Sequence, residues 1–216
     1  NLLLSKTSPY TVIEADEYDR SFHWLSPYIA VITSVEADHL DIYGSEKKYV
    51  ESFQKFTSLI QPKGVLLLKE GLSISPKVSK GVKIYTYSIT KGDYYAENIT
   101  IDKGEIIFDF ITPKGRIEKI QLGVPIAINI ENSIAAMAIA MLIGVNAEEI
   151  KKGIKSYKGV DRRFDFQIKT PNLIFLNDYA HHPAEVKQSI LSIKQLYPTK
   201  KITGVFQPHL YSRTQS

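Results

Sequence analysis

The chain has 216 residues, 44% hydrophobic and 23% charged, with a formal net charge of +4 and no cysteine. This is ordinary globular composition, long enough for one large domain or one domain and part of another. No apolar run reaches the roughly 18 to 20 residues that cross a bilayer. Lysine is scattered rather than gathered on a nucleic-acid face, and without cysteine there are no disulfides or thiolate metal sites, which fits a reducing cytoplasm.

The opening NLLLSKTSPY lacks a basic region leading into a long apolar one, so it does not read as a signal peptide; without an initiator Met it is expected to be an internal cut. Residues 10–14 (YTVIE) and 28–34 (YIAVITS) are rich in β-branched and aromatic residues without polar alternation, as expected of strands covered on both faces. Ser45 is placed to cap a helix whose Tyr49, Phe53, Phe56 and Ile60 share one face, with Pro62 and Gly64 ending it. VLLLKE then reads as a buried strand, and the order strand, helix, strand predicts an α/β sheet.

Between about 82 and 122, VKIYTYS, ENITID, EIIFDFIT and RIEKIQL are separated by KGD, DKG and PKG turns, which predicts an antiparallel meander. IENSIAAMAIAMLIG is apolar nearly all round and reads as a buried helix, followed by the amphipathic AEEIKKGIKSYKG. A boundary falls near GVDRRFDF. Beyond it, LIFLN, a helix opening at Pro183 with Val186, Ile190, Ile193 and Tyr197 inward, and ITGVF read as strand, helix and strand.

Four polar clusters follow apparent strands: Glu14-Ala15-Asp16-Glu17, Glu36-Ala37-Asp38-His39, Asp178-Tyr179-Ala180-His181-His182 and Gln207-Pro208-His209. Open α/β sheets bind ligands outside the carboxyl ends of their strands, and carboxylate with imidazole suits Mg²⁺. An acid after a strand is equally a helix cap or Asx turn, the reading given to Asp41, and a lone histidine is often structural. Composition and spacing leave both readings open.

The strings IEADEYDRSF, VITSVEADHLDIYG, NDYAHHPAEV and FQPHLYSRT, in this order, closely resemble the Mur ligase family. The likeness runs from about residue 10 to the end, least distinctly over 65–122. It implies an α/β fold: a central ATPase-type mixed sheet with flanking helices and a small antiparallel meander over 1–160, then a truncated Rossmann-like C-terminal domain over 161–216. It also implies a bacterial cytoplasmic enzyme using ATP and Mg²⁺ or Mn²⁺. The four strings point to the branch that joins L-alanine to the lactyl carboxylate of UDP-N-acetylmuramate through an acyl phosphate. Alternatives are the family's murein tripeptide recycling member and a nucleotide-binding paralogue without catalysis. From outside the family, a metal-dependent hydrolase would use the same acids and histidines to activate water. No nucleic-acid or membrane partner is expected, and the sequence is silent on oligomeric state.

Residue by residue, the resemblance matches Glu14 and His39 to the metal ligands, with Glu17 and Asp38 in supporting places. Asn129 and Asn132 match the adenine-recognising N-x-x-N pair, although Ile126-Ala127-Ile128 stands where the family usually has G-R-H; helix capping is the competing reading for Asn132. Arg163 matches the hinge arginine that reaches the nucleotide, with Arg162 a surface residue, and Asp178 matches the acid on the ribose. Tyr179, His181, His209 and Arg213 match positions beside the substrate carboxylate and the incoming alanine. Leu210 stands where some relatives carry a second arginine, which leaves Arg213 as the carboxylate clamp. Phe53 stands near the place of a carbamylated lysine in sister ligases, so no carbamate is expected. The chain contains no G-x-x-G-K-[ST] loop; Ser5-Lys6-Thr7 has no glycines before it. The isolated chain is therefore expected to be inactive.

Overall fold

The computed structural model describes residues 5–37, 40–102, 104–180 and 183–207. They fall into two compact units, Asn1–Tyr85 and Thr86–Ser216.

In the first unit, strand β1 (Ile29–Ile32) runs parallel to β2 (Val65–Lys69), with Ile29 opposite Val65 and Ile32 opposite Leu68. Between them come a short helix α1 (Leu40–Tyr43) and the longer α2 (Glu46–Ser58). Ser45 caps α2, its hydroxyl accepting from the Lys48 N–H at 3.3 Å. As expected, Tyr49, Phe56 and Ile60 are buried and Phe53 packs on the same core. That core joins Phe22, Ala30, Ile32, Phe56, Ile60, Leu66 and Leu68. The α2–β2 connection is tight at Gly64, where an added Cβ would meet the Tyr28 carbonyl oxygen. This close approach lets the Val65 N–H donate to that same oxygen at 2.8 Å.

Two expectations change here. The strand β3 (Lys83–Tyr87), expected in the meander, instead extends the first sheet in the order β1-β2-β3. Residues 10–14 have strand composition but no ladder partner among the described residues, so they run as exposed chain, with Val12 91% accessible.

In the second unit, β4 (Tyr95–Asp102), β5 (Glu105–Thr112) and β6 (Gly115–Gln121) form the antiparallel meander. The central β5 buries every second residue: Ile106, Phe108, Phe110 and Thr112. The register shifts once in each pairing, between Glu97 and Thr100 and between Phe108 and Phe110. The Asp109 carboxylate serves both irregularities, accepting from the Asn98 amide at 2.8 Å and the Lys119 N–H at 2.9 Å. Those donors, the Asn98 amide first, hold its carboxyl below the ordinary range.

Helix α3 (Ala127–Leu142) buries Ile130, Ile134, Met137 and Ala138, and α4 (Ala147–Ser156) is capped by Asn146. Where a domain boundary was expected, β7 (Asp165–Lys169) pairs antiparallel with β8 (Ile174–Asn177). Helix α5 (Pro183–Leu196) begins at the proline as expected. Among its described side chains Ser192 and Leu196 are buried, and Val186, Ile193 and the following Tyr197 are half-buried as expected, whereas Ile190 is 41% exposed, so the inward face is centred beside the predicted one. Residues 202–206 form no strand, and Val205 is 99% exposed. No helix among the described residues is long and apolar enough to cross a membrane.

Candidate functional site

In the first unit, the acids after YTVIE lie on a loop leading into a 3-10 turn over Tyr18–Trp24. Glu14 and Asp16 are exposed and Glu17 is partly so. The Asp16 carboxylate accepts from the Tyr18 N–H at 2.9 Å, an Asx turn of the kind weighed against metal binding. Phe22, 1% exposed, drops into the core and anchors the turn. The chain achieves this by placing two successive non-glycine residues, Asp19 (φ 47°) and Arg20 (φ 67°), in the left-handed region.

Past β1, the Glu36 N–H bonds to Ser34 Oγ at 3.1 Å, and Glu36 and Ala37 are exposed. Asp41 lies inside α1 rather than forming an Asx turn; the chain turns at Gly44, whose positive φ (77°) lets its N–H donate to the Leu40 carbonyl at 2.7 Å. Asp38 and His39 lie outside the described residues.

The acidic loop and α1 are nonetheless tied directly. The Tyr43 hydroxyl donates to the Glu17 carbonyl at 2.5 Å. In return the Arg20 guanidinium donates to the Ile42 carbonyl at 3.2 Å and lies 4.7 Å over the Tyr43 ring. Burial, before any other cause, raises the Tyr43 phenol, so it stays a donor. His23 Nε2 lies 3.0 Å from both the Ser52 hydroxyl and the Ser52 carbonyl. Burial, with Lys55 and Arg20 adding to it, lowers the His23 pKa against the opposing pull of the Ser52 carbonyl. These partners lie 22 to 29 residues apart, beyond the reach of any local pattern.

No group of three or more acids and histidines converges among the described residues. The donor set still fits a hard cation: exposed carboxylate oxygens outside the core, of the kind of which Mg²⁺ takes one or two while keeping water and substrate phosphates in its shell.

In the second unit, Asn129 and Asn132 lie three residues apart on α3. The residue capping α3 is Ile126, with no side-chain bond, so neither asparagine is the cap. The Asn129 amide donates back to the Val124 carbonyl at 3.1 Å and fixes the entry to the helix; Asn132 is exposed.

The string Asp161-Arg162-Arg163-Phe164 makes a tight turn, with Val160 and Arg163 bridged and Arg162 left-handed (φ 61°). The Arg162 carbonyl accepts from the Tyr179 N–H at 2.7 Å, which brings the chain after strand β8 onto this turn. Arg163 then lies 5.6 Å over the Tyr179 ring and 3.6 Å from the Glu185 carboxylate. Asp178 accepts from the Ser189 hydroxyl on α5. Arg163 and the adjacent Asp178 and Tyr179 thus share one corner, where Glu185 and Ser189 of α5 join them. His181, His209 and Arg213 lie outside the described residues.

This sheet, meander and strand-end arrangement defines a class. The Mur ligase middle-domain model matches residues 2–140, and the chain belongs to the Mur ligase family. Its relatives narrow the comparison. A UDP-N-acetylmuramate–L-alanine ligase from Phocaeicola vulgatus is 62% identical over 215 residues, covering 100% of this chain and 47% of the relative. One from Parabacteroides distasonis is 60% identical, again over 100% and 47%. The chain thus spans about half the length of the curated relatives it matches. Among solved structures, a UDP-N-acetylmuramate–alanine ligase from Thermotoga maritima aligns with a TM-score of 0.78 at 25% identity, over 90% of this chain and 44% of that one. MurF from Acinetobacter baumannii aligns at 0.67 with 24% identity, over 82% and 39%, a likeness of fold.

Proposed function

We propose that the chain is part of an ATP-dependent ligase that joins L-alanine to the lactyl carboxylate of UDP-N-acetylmuramate, a step of peptidoglycan precursor synthesis in the bacterial cytoplasm. The observation that carries this reading is the 62% identity to a ligase of that name along the whole chain. On this reading residues 1–160 belong to the central ATP-binding domain and 161–216 open the C-terminal domain.

The chemistry requires a carboxylate to approach a triphosphate. Its oxygen attacks the γ-phosphorus and ADP leaves, giving an acyl phosphate. The amine of L-alanine then adds to the carbonyl carbon; the tetrahedral intermediate loses a proton from nitrogen and expels inorganic phosphate, leaving an amide. A divalent cation, Mg²⁺ or Mn²⁺, offsets the charge repulsion and polarises the phosphoryl oxygens. Glu14 and His39 are the residues assigned to hold it, supported by Glu17 and Asp38.

The chain's other residues bind and orient. Asn129 and Asn132 are assigned to adenine, Arg163 to the nucleotide and Asp178 to the ribose. Arg163 makes a half-exposed pair with Glu185. Such a pair is worth about 0–1 kcal/mol, so a polyphosphate competes for the guanidinium at little cost. Tyr179, His181, His209 and Arg213 are assigned to the substrate carboxylate and the alanine, Arg213 as the bidentate clamp.

The test is phosphate release by the full-length protein given ATP, Mg²⁺, UDP-N-acetylmuramate and single amino acids. The reading expects release with L-alanine and little with D-alanine. Equal release with every amino acid, or none with L-alanine, overturns it.

A further inference from the structure

The geometry points to Arg20 and Tyr43 as a clasp that ties the acidic loop to α1, the helix that follows His39 in the sequence, making them positioning residues for the divalent cation. This inference rests on the function proposed above, which supplies the cation.

The clasp is reciprocal. Arg20 reaches from the loop to a backbone carbonyl of α1, that of Ile42 at 3.2 Å. Tyr43 reaches from α1 to a backbone carbonyl of the loop, that of Glu17 at 2.5 Å. The two accepting residues, Glu17 and Ile42, each lie three positions beyond an assigned ligand, Glu14 and His39. Both bonds hold main chain rather than side chain, so they fix the backbone that follows each assigned ligand. The stack of Arg20 on the Tyr43 ring at 4.7 Å joins the two arms.

The surroundings show that this geometry is held rather than idle. Asp19 and Arg20 occupy strained left-handed backbone, which persists only where neighbours over-determine it. Those neighbours are present: Phe22 is sunk in the core, and His23 is hooked to Ser52 on α2. Tyr43 itself is 2% exposed and packs edge-on to Tyr49 at 4.8 Å. The strained turn therefore delivers Arg20 to α1 while Glu14 and Asp16 stay open to solvent. Groups that orient metal ligands from behind typically change metal affinity on the order of 10- to 100-fold when removed.

The experiment uses the full-length protein and two variants. Tyr43→Phe removes only the hydroxyl and keeps the buried ring; Arg20→Lys keeps the charge and loses the planar stack. Mn²⁺ binding in the presence of a non-hydrolysable ATP analogue is read by electron paramagnetic resonance, beside the melting temperature and the metal dependence of phosphate release. The expected result is Mn²⁺ binding weakened on the order of tenfold in both variants, near-native melting, and turnover restored by excess metal. Unchanged Mn²⁺ affinity overturns the clasp. So does activity that excess metal fails to restore, or unfolding of both variants, which assigns the pair to stability alone. A wild-type protein that binds Mn²⁺ but makes no product defeats the ligase reading, while the variants' affinities still decide the clasp. A wild-type protein that binds no Mn²⁺ overturns the clasp itself.

Discussion

Ser45 shows what one side chain does at a helix end, because its hydroxyl satisfies an N–H that α2 leaves without an intrahelical partner. Ser45→Ala should lower stability by about 1 kcal/mol, seen as a lower urea midpoint with an unchanged slope. Gly64→Ala should cost more, about 1–3 kcal/mol, because the new Cβ meets backbone oxygens of Tyr28 and Gln61 that cannot rotate away. Arg163→Ala tests the nucleotide assignment. Charge-assisted hydrogen bonds contribute about 1.5–3 kcal/mol, so KM for ATP in the full-length protein should rise roughly 10- to 100-fold, with the melting temperature little changed. Ser45 was legible in the sequence because capping is local chemistry; the approach to Tyr28 that constrains Gly64 was not, because it joins distant parts of the chain. Arg20, His23 and Ser52 were not: their roles come from contacts 22 to 29 residues away.

Most elements followed their periodicity, since α2, β2, α3 and the meander each carry a continuous burial pattern. The departures share a physical cause, which is that a strand is defined by its partner. VKIYTYS has the texture of the meander but is hydrogen-bonded into the other sheet. YTVIE and ITGVF have strand residues and no ladder among the described residues, and β7 was overlooked because GVDRRFDF reads as punctuation. Within the meander, Asp109 satisfies two irregularities at once. A carboxyl held below its ordinary pKa contributes stability that is fully present above the unfolded value of about 3.9. That contribution disappears as pH falls through the folded value. Urea midpoints measured against pH should therefore fall below about pH 4, and Asp109→Asn should flatten that acid limb. The variant should also lose about 1–3 kcal/mol at neutral pH as a donor meets donors.

At the scale of the molecule, the family was legible because four strings of unusual composition recur in a fixed order, each beside a strand end or hinge. The site was legible in part. Arg163, Asp178 and Tyr179 do share one corner, and the loop bearing Glu14 is tied to the helix that follows His39. The partners that hold these groups in place, Glu185, Ser189, Arg20 and Tyr43, emerge only from the folded arrangement. The central proposal is that the protein of which this chain is part joins L-alanine to UDP-N-acetylmuramate. The measurement that tests it most directly is inorganic phosphate release by the full-length protein with ATP, Mg²⁺ and L-alanine, with and without UDP-N-acetylmuramate, beside the 216-residue chain alone. The account predicts release only when the full-length protein has all its substrates; release without UDP-N-acetylmuramate, or equal release by the 216-residue chain, would contradict it.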